Sequence, residues 1–250
     1  MSLPMPAPIQ IFPLPGLPEI RAGDDLAALI AAKAKGLAVA GDIFVVAQKI
    51  VSKAEGRVVR LDTVAPSRRA LEWAEQWDRD ARVIELVLRE ARSILRMERG
   101  LIIAETRHGF ICANAGVDIS NAPDGAAVLL PADPDASARA LQREISRAFG
   151  IKVAVIIADT FGRAWREGLV NIALGVAGLN PLRDYRGAPD AGGRVLETTV
   201  IAAADEIAAA AELVMGKADN VPVAVVRGAP IGGDGTGRDL LRPMERDLFR

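Results

Sequence analysis

Cysteine, histidine and tyrosine are almost missing from this chain: its 250 residues hold one of each. A lone cysteine, Cys112, excludes an internal disulfide and fits a reducing compartment. With His108 the only histidine, a zinc site built from histidine and cysteine is excluded too. An excess of either charge is absent, since 31 basic residues face 32 acidic ones for a net charge of −1. No global field therefore favours nucleic acid or an anionic membrane. No apolar run approaches the ~18 residues of a membrane span. The stretch "MSLPMPAPIQIFPLPG" lacks the basic start and unbroken apolar core of an export signal. What remains is half hydrophobic and a quarter charged, the balance of a soluble globular protein. The expectation is a cytoplasmic protein with small-molecule partners, no membrane and no nucleic acid.

Apolar periodicity then orders the chain. "GDDLAALIAAKAKG" predicts a helix closing on Gly36, and "DIFVVAQKIVSKAEGRVV" a strand running into a lysine-bearing segment. Residues 66–99 are charged and rich in alanine and leucine at helical spacing, which predicts one or two helices. "LIIAETRHGFICANAGVD" predicts two strands around a turn near His108 and Gly109, and a helix is expected to begin near Asp135. "RVLETTVIAA" and "VPVAVVRG" read as strands, and "ADEIAAAAELVMG" as an amphipathic helix. Strands alternate with helices, but several neighbours look hairpin-linked, so the class is α+β rather than a purely parallel sheet. No linker divides the 250 residues, which form one domain or two interleaved lobes.

Several constellations could carry chemistry. In "VAVIIADTFGRAWREG" an apolar strand, Val153 to Ala158, is expected to exit at Asp159, with Thr160 beside it and Arg163 and Arg166 just behind. Asp118 ends a similar approach, with Asn121 three residues on. Carboxylates, a hydroxyl and amide oxygens are hard donors suited to Mg²⁺ or Mn²⁺; equally, aspartate and asparagine are common turn and cap residues. Lys49, Lys53, Arg163 and Arg166 could hold phosphate or carboxylate, or form a solvated face. "VAVVRGAPIGGDGTGRDLL" has the glycine spacing of a P-loop at Gly232 and Gly237, yet Arg238 and Asp239 replace the lysine and the hydroxyl it needs. That loop, residues 229–239, reads instead as a lid. Cys112 and His108 make a poor nucleophile pair, because the thiol falls on an inward strand position.

Five long motifs, "VVAQKIVSKAEGR", "NAGVDISN", "LLPADPDASA", "IIADTFGRAWREG" and "ADEIAAAAELVMG", together resemble the coenzyme F420-0:L-glutamate ligase family, from about Pro13 to Gly228. The resemblance is to the stand-alone form, without the additional flavin-reductase-like domain of some relatives. It implies mixed sheets with flanking helices, two interleaved lobes and an intertwined homodimer. It implies a GTP-dependent ligase adding L-glutamate to a deazaflavin precursor through an acyl phosphate, with Mg²⁺ or Mn²⁺ and K⁺ as a further candidate ion. Metal would fall on Asp118, Asp159 and Thr160, with catalysis on the two aspartates; on chemical grounds rather than by resemblance, Arg163 and Arg166 are expected to join them by clamping phosphate or substrate carboxylate. Nucleotide contacts would fall on Pro15, Gly16, Leu17, Pro18, Gln48, Lys49, Lys53 and Asn121. Met215, Gly216, Lys217, Ala218, Asp219, Asn220 and Val221 would complete that pocket. Family members often carry glutamine or glutamate after the "MG" pair, at a position associated with a second metal, where this chain has Lys217. Two other classes could use the same residues: a metal-dependent nucleotide or phosphate-ester hydrolase, and a non-catalytic deazaflavin-binding protein.

Overall fold

The computed structural model describes residues 8–120, 122–229 and 232–248. The chain runs β1 (Gln10–Pro13), α1 (Leu26–Lys33), β2 (Ile43–Ala47), α2 (Gln48–Ala54), β3 (Val58–Arg60), α3 (Arg68–Trp77), α4 (Ala81–Glu90) and β4 (Ala91–Glu98). It continues through β5 (Leu101–Thr106), β6 (Ile111–Ala113), β7 (Ala126–Val128), α5 (Pro134–Phe149), β8 (Ala154–Arg163) and β9 (Arg166–Ala177). β10 (Arg183–Asp184), β11 (Val200–Ile201), α6 (Ala203–Met215) and β12 (Val223–Arg227) complete it. Among the described residues no helix is long and apolar enough to cross a membrane. The class is α+β with mixed sheets, as expected.

The central sheet has the order β1-β12-β2-β8-β9, with β2 and β8 parallel and every other pair antiparallel. Its strands are apolar on both faces because both are covered. Phe44, Val46, Val155, Ile157, Val223 and Val225 pack on α1 and α5. Their neighbours Ile43, Val45, Ile156, Ala224 and Val226 pack on the alanine-rich face of α6. Alanines let α6 lie close to the sheet. α5 is set by local chemistry: Asp133 caps its start by accepting from the Ala136 N–H, Pro134 opens the first turn, and Gly150 ends it at a φ of 67°. After α2 the chain builds a separate core from α3, α4 and β4–β6, centred on Trp73, Ile84, Val87, Ile102 and Leu129.

Four sequence expectations change. β8 does not exit at Asp159. It continues to Arg163, because β9 pairs with it along its whole length after a bulge that leaves Leu174 unopposed. Residues 66–99 form two helices, but the end of that segment, Ala91–Glu98, is a strand held by β5. "RVLETTVIAA" contributes only Val200–Ile201 as strand. "NIALGVAGLN" is the largely buried part of β9 and the turn beyond it. The described end of the glycine-rich loop, residues 232–239, is tied to the sheet rather than free to close, with the Gly235 N–H donating to Leu179 O. Gly237 donates its N–H to Asp135 at 2.6 Å and lies so close to the Leu174 carbonyl that a Cβ would collide with it.

Asp135 is buried at the first turn of α5 and also accepts the Val176 N–H at 2.9 Å. Asp135→Ala would strand two buried donors, so it should cost about 2–4 kcal/mol. Urea unfolding measures this, and a loss under about 0.5 kcal/mol would exclude the anchoring role.

Candidate functional site

Four chain segments meet at one end of the central sheet. The parallel register sets Ala47 opposite Ala158, so the start of α2 lies beside Asp159 and Thr160. The Ala47 N–H donates to Pro222 O, and the Leu14 N–H to Val223 O. These bonds bring in the loop before β12 and the proline-rich loop after β1. Between them lies a cleft of about 1020 Å³, open to solvent. That is at the upper end of the roughly 300–1,000 Å³ typical of ligand pockets.

Three ammonium groups line the cleft, those of Lys49, Lys53 and Lys217. Lys49 and Lys53 stand one helical turn apart on α2. Lys49 Nζ meets Asp118 Oδ2 at 2.7 Å and donates to Ser120 Oγ at 2.7 Å. Ser120 returns its N–H and hydroxyl to Asp118. Lys53 pairs with Glu19 at 2.6 Å. On the cleft floor Lys217 Nζ donates to Thr160 Oγ1 at 2.5 Å and Thr160 to Asn171 Oδ1 at 2.8 Å; Asn171 in turn donates to Glu212 at 2.9 Å.

The two aspartates are tuned apart. Partial burial works to raise the Asp118 carboxyl, but hydrogen bonds from Lys49 and Ser120, with the Lys49 charge, hold it below its ordinary value. Burial pushes Asp159 up to about 6. The Thr160 N–H and the charges of Lys217 and Lys49 oppose the rise, and Asp118 adds to it. Among the described residues no side chain donates a hydrogen bond to Asp159.

The donors suit a hard cation of the magnesium kind, which takes one or two carboxylates and leaves its other positions to water and phosphate. No three carboxylate, imidazole or thiol side chains converge among the described residues, so an all-protein cage is absent there. Asp159 and Asp118 fit that sparse pattern.

A family profile described as F420-0:Gamma-glutamyl ligase matches residues 16–228. The chain belongs to this family. It is 49% identical to the Coenzyme F420:L-glutamate ligase of Methanothermobacter thermautotrophicus, over 97% of this chain and 99% of the relative. It is 46% identical to the protein of the same name from Methanopyrus kandleri, over 97% and 98%. For that of Methanocaldococcus jannaschii the identity is 47%, over 84% and 85%.

Most of the family-derived residues come together. Leu17, Pro18, Gln48, Lys49, Lys53, Asp159, Thr160, Met215, Gly216, Lys217, Ala218, Asn220 and Val221 line the cleft. Asp118 stands behind Lys49. Pro15, Gly16 and Asp219 lie in the same loops but outside the lining, and Asn121 falls outside the described residues. Gln48 is buried and spends its amide on Ser52 and the Leu129 carbonyl, so it braces α2. The structure does not bring Arg163 or Arg166 to the cleft. They are exposed and face each other at the tip of the β8–β9 hairpin, where Arg163 donates to Glu167 O. Cys112 is buried, its thiol pushed up to about 12 by burial and by Asp159. His108 meets Ala132 O instead, so the two form no nucleophile pair.

Sequence reasoning missed Glu19, Asn171 and Glu212. Asn171 had a signal, a polar residue inside an otherwise apolar strand, as did Glu212 within the alanine run of α6.

A carboxyl raised from 3.8 to about 6 favours the folded state while protonated. That contribution is full below about pH 4 and is lost as pH rises through about 6, a change of up to about 3 kcal/mol. Metal-free Asp159→Asn should therefore match the wild type at pH 4 and exceed it at pH 8, by urea midpoints in the presence of chelator. Equal stability at pH 8 would refute the burial of an unpaired charge.

Proposed function

We propose that this chain joins L-glutamate by an amide bond to the deazaflavin precursor F420-0, using GTP and a divalent metal, Mg²⁺ or Mn²⁺, with K⁺ as a further candidate. The observation that carries the reading is the meeting of Lys49, Lys53, Lys217 and Asp159 around one cleft of about 1020 Å³, with Asp118 held behind it by Lys49. Near-complete coverage of relatives named as this ligase supports the acceptor and the amino acid.

The chemistry follows from the poor reactivity of a carboxylate. A terminal carboxylate oxygen of the precursor attacks the γ-phosphorus of GTP, and GDP leaves, giving an acyl phosphate. The glutamate amine then attacks the acyl carbon, loses a proton and expels inorganic phosphate. Phosphoryl transfer asks mainly for positioning and charge neutralisation. Lys53 and Lys49, one turn apart, hold phosphate oxygens, and the Leu17–Pro18 loop packs against the nucleotide. Asp159 and Asp118 would hold the metal, which would supply charge neutralisation for the phosphates. Asp159, pushed up by burial and poor in partners, is ready to gain a cation. The enzyme works in the cytoplasm. A homodimer of interleaved lobes belongs to the same reading, supported by Leu169, which is 64% exposed on the β8–β9 hairpin. Light scattering that found a fully active monomer at nanomolar concentration would refute the dimer.

The deciding experiment is a mass spectrum of F420-0 after incubation with GTP, Mn²⁺ and glutamate. The expected product carries added glutamyl mass, and GTP turns over repeatedly only when acceptor and glutamate are both present. Phosphate release without them would indicate a hydrolase; no nucleotide turnover would indicate a binding protein. Asp118→Asn or Asp159→Asn should cut turnover at least ~100-fold with the fold intact. Lys53→Ala should raise the KM for GTP about tenfold and leave that for glutamate near wild type. A change confined to the glutamate KM would move Lys53 to the acceptor site.

A further inference from the structure

We infer that the Lys217 ammonium is a tethered cation that occupies, at Thr160, the place of one divalent ion. The inference rests on the proposed reading of the cleft as a metal and phosphate site. Its basis is the direction of the hydrogen bonds on the floor. A glutamate carboxylate accepts only, so Asn171 must turn its NH₂ group toward Glu212, at 2.9 Å, and its carbonyl oxygen toward Thr160. That oxygen also accepts only, so it takes the Thr160 hydroxyl proton, at 2.8 Å. Thr160 is left presenting lone pairs alone to the cleft. Such an oxygen calls for a cation or a donor, and Lys217 Nζ sits on it at 2.5 Å.

The loop is built for this contact. α6 ends at Met215, and Gly216 turns with a φ of 60°, where a Cβ would collide with the Asp219 carboxylate. The turn leads directly to Lys217, whose ammonium reaches the cleft floor. A divalent ion on the remaining lone pair of Thr160 would share one oxygen with an ammonium, and like charges at that separation repel. Three positions, Glu212, Asn171 and Thr160, thus orient one acceptor, and the chain supplies its own positive charge there.

The test counts metal rather than activity. Equilibrium dialysis with Mn²⁺, confirmed by electron paramagnetic resonance, is applied to the wild type, Lys217→Gln, Lys217→Arg and the double variant Lys217→Gln with Thr160→Val. Near-UV circular dichroism checks each fold. Lys217→Gln should bind one Mn²⁺ more per chain than the wild type. Lys217→Arg should keep the wild-type number, and the double variant should return to it. Equal numbers in the wild type and Lys217→Gln would overturn the inference, as would an added ion that survives the loss of the Thr160 hydroxyl. Asp159→Asn is measured alongside. If it loses no Mn²⁺, the aspartate assignment fails separately, and the Lys217 comparison still stands or falls by its own count.

Discussion

The parallel pairing of β2 with β8 is the constraint on which the site depends. Its register places Ala47 against Ala158, so the residues that follow on each strand, leaving the sheet after β2 and still within β8, lie at the same end of the sheet. From β2 come Gln48 and Lys49, already in the first turn of α2; from β8 come Asp159 and Thr160. A slip of one residue would turn Asp159 toward the opposite face and bury or expose every neighbour wrongly. Four apolar strands covered on both faces make such a slip costly, because each fully buried isoleucine or valine is worth roughly 1.5–3 kcal/mol. The hydrophobic core therefore fixes the distance between a lysine and a carboxylate that have nothing hydrophobic about them.

Charge is treated differently for stability and for chemistry. Asp42 and Arg227, at the opposite end of the sheet, form a two-pronged pair with both contacts at 2.8 Å, and Arg227 also reaches the Leu37 carbonyl. Asp42 accepts the Val39 N–H as well. Every strong acceptor there is used, which is how a buried charge becomes tolerable. Asp159 has the burial without the partners. Two ammonium groups act on it from a distance, and its carboxyl stays raised to about 6. A group left in that state gains most from a bound cation, and the fold bears the cost when none is present.

The sequence made the elements and the inner site legible for identifiable reasons. Long apolar runs, a proline and aspartate at the start of α5 and a glycine after α6 are local signals, and local physics decided those elements. Lys49, Asp118 and Asp159 were legible as charged residues at strand boundaries, although Asp159 proved to lie inside a strand. Arg163 and Arg166 are near Asp159 in the chain but not in the cleft of this chain. They lie only four and seven residues beyond Asp159, but strand geometry carries the chain away at ~3.3 Å per residue. The pairing of β8 with β9, which decides this, is set by tertiary contacts. Glu212 and Asn171 were missed because each gains meaning only from a partner dozens of residues away.

That distant partnership has its own mechanical support. β9 is an edge strand, and two of its outward N–H groups are taken by carboxylates from the helices on either face. Asp205 of α6 accepts from Ala173 at 2.9 Å, and Asp135 of α5 accepts from Val176 at 2.9 Å. Burial raises the Asp205 carboxyl, as expected of a group shielded by the sheet it caps. These bonds close an edge that would otherwise invite another strand. They also pin β9 on both sides of the bulged Leu174, which keeps Asn171 directly across from Thr160. Asn171 then has one orientation, set by Glu212, and Thr160 has one direction for its proton. A bulge held by two helices thus determines, several residues away, which oxygen lone pair faces the cleft.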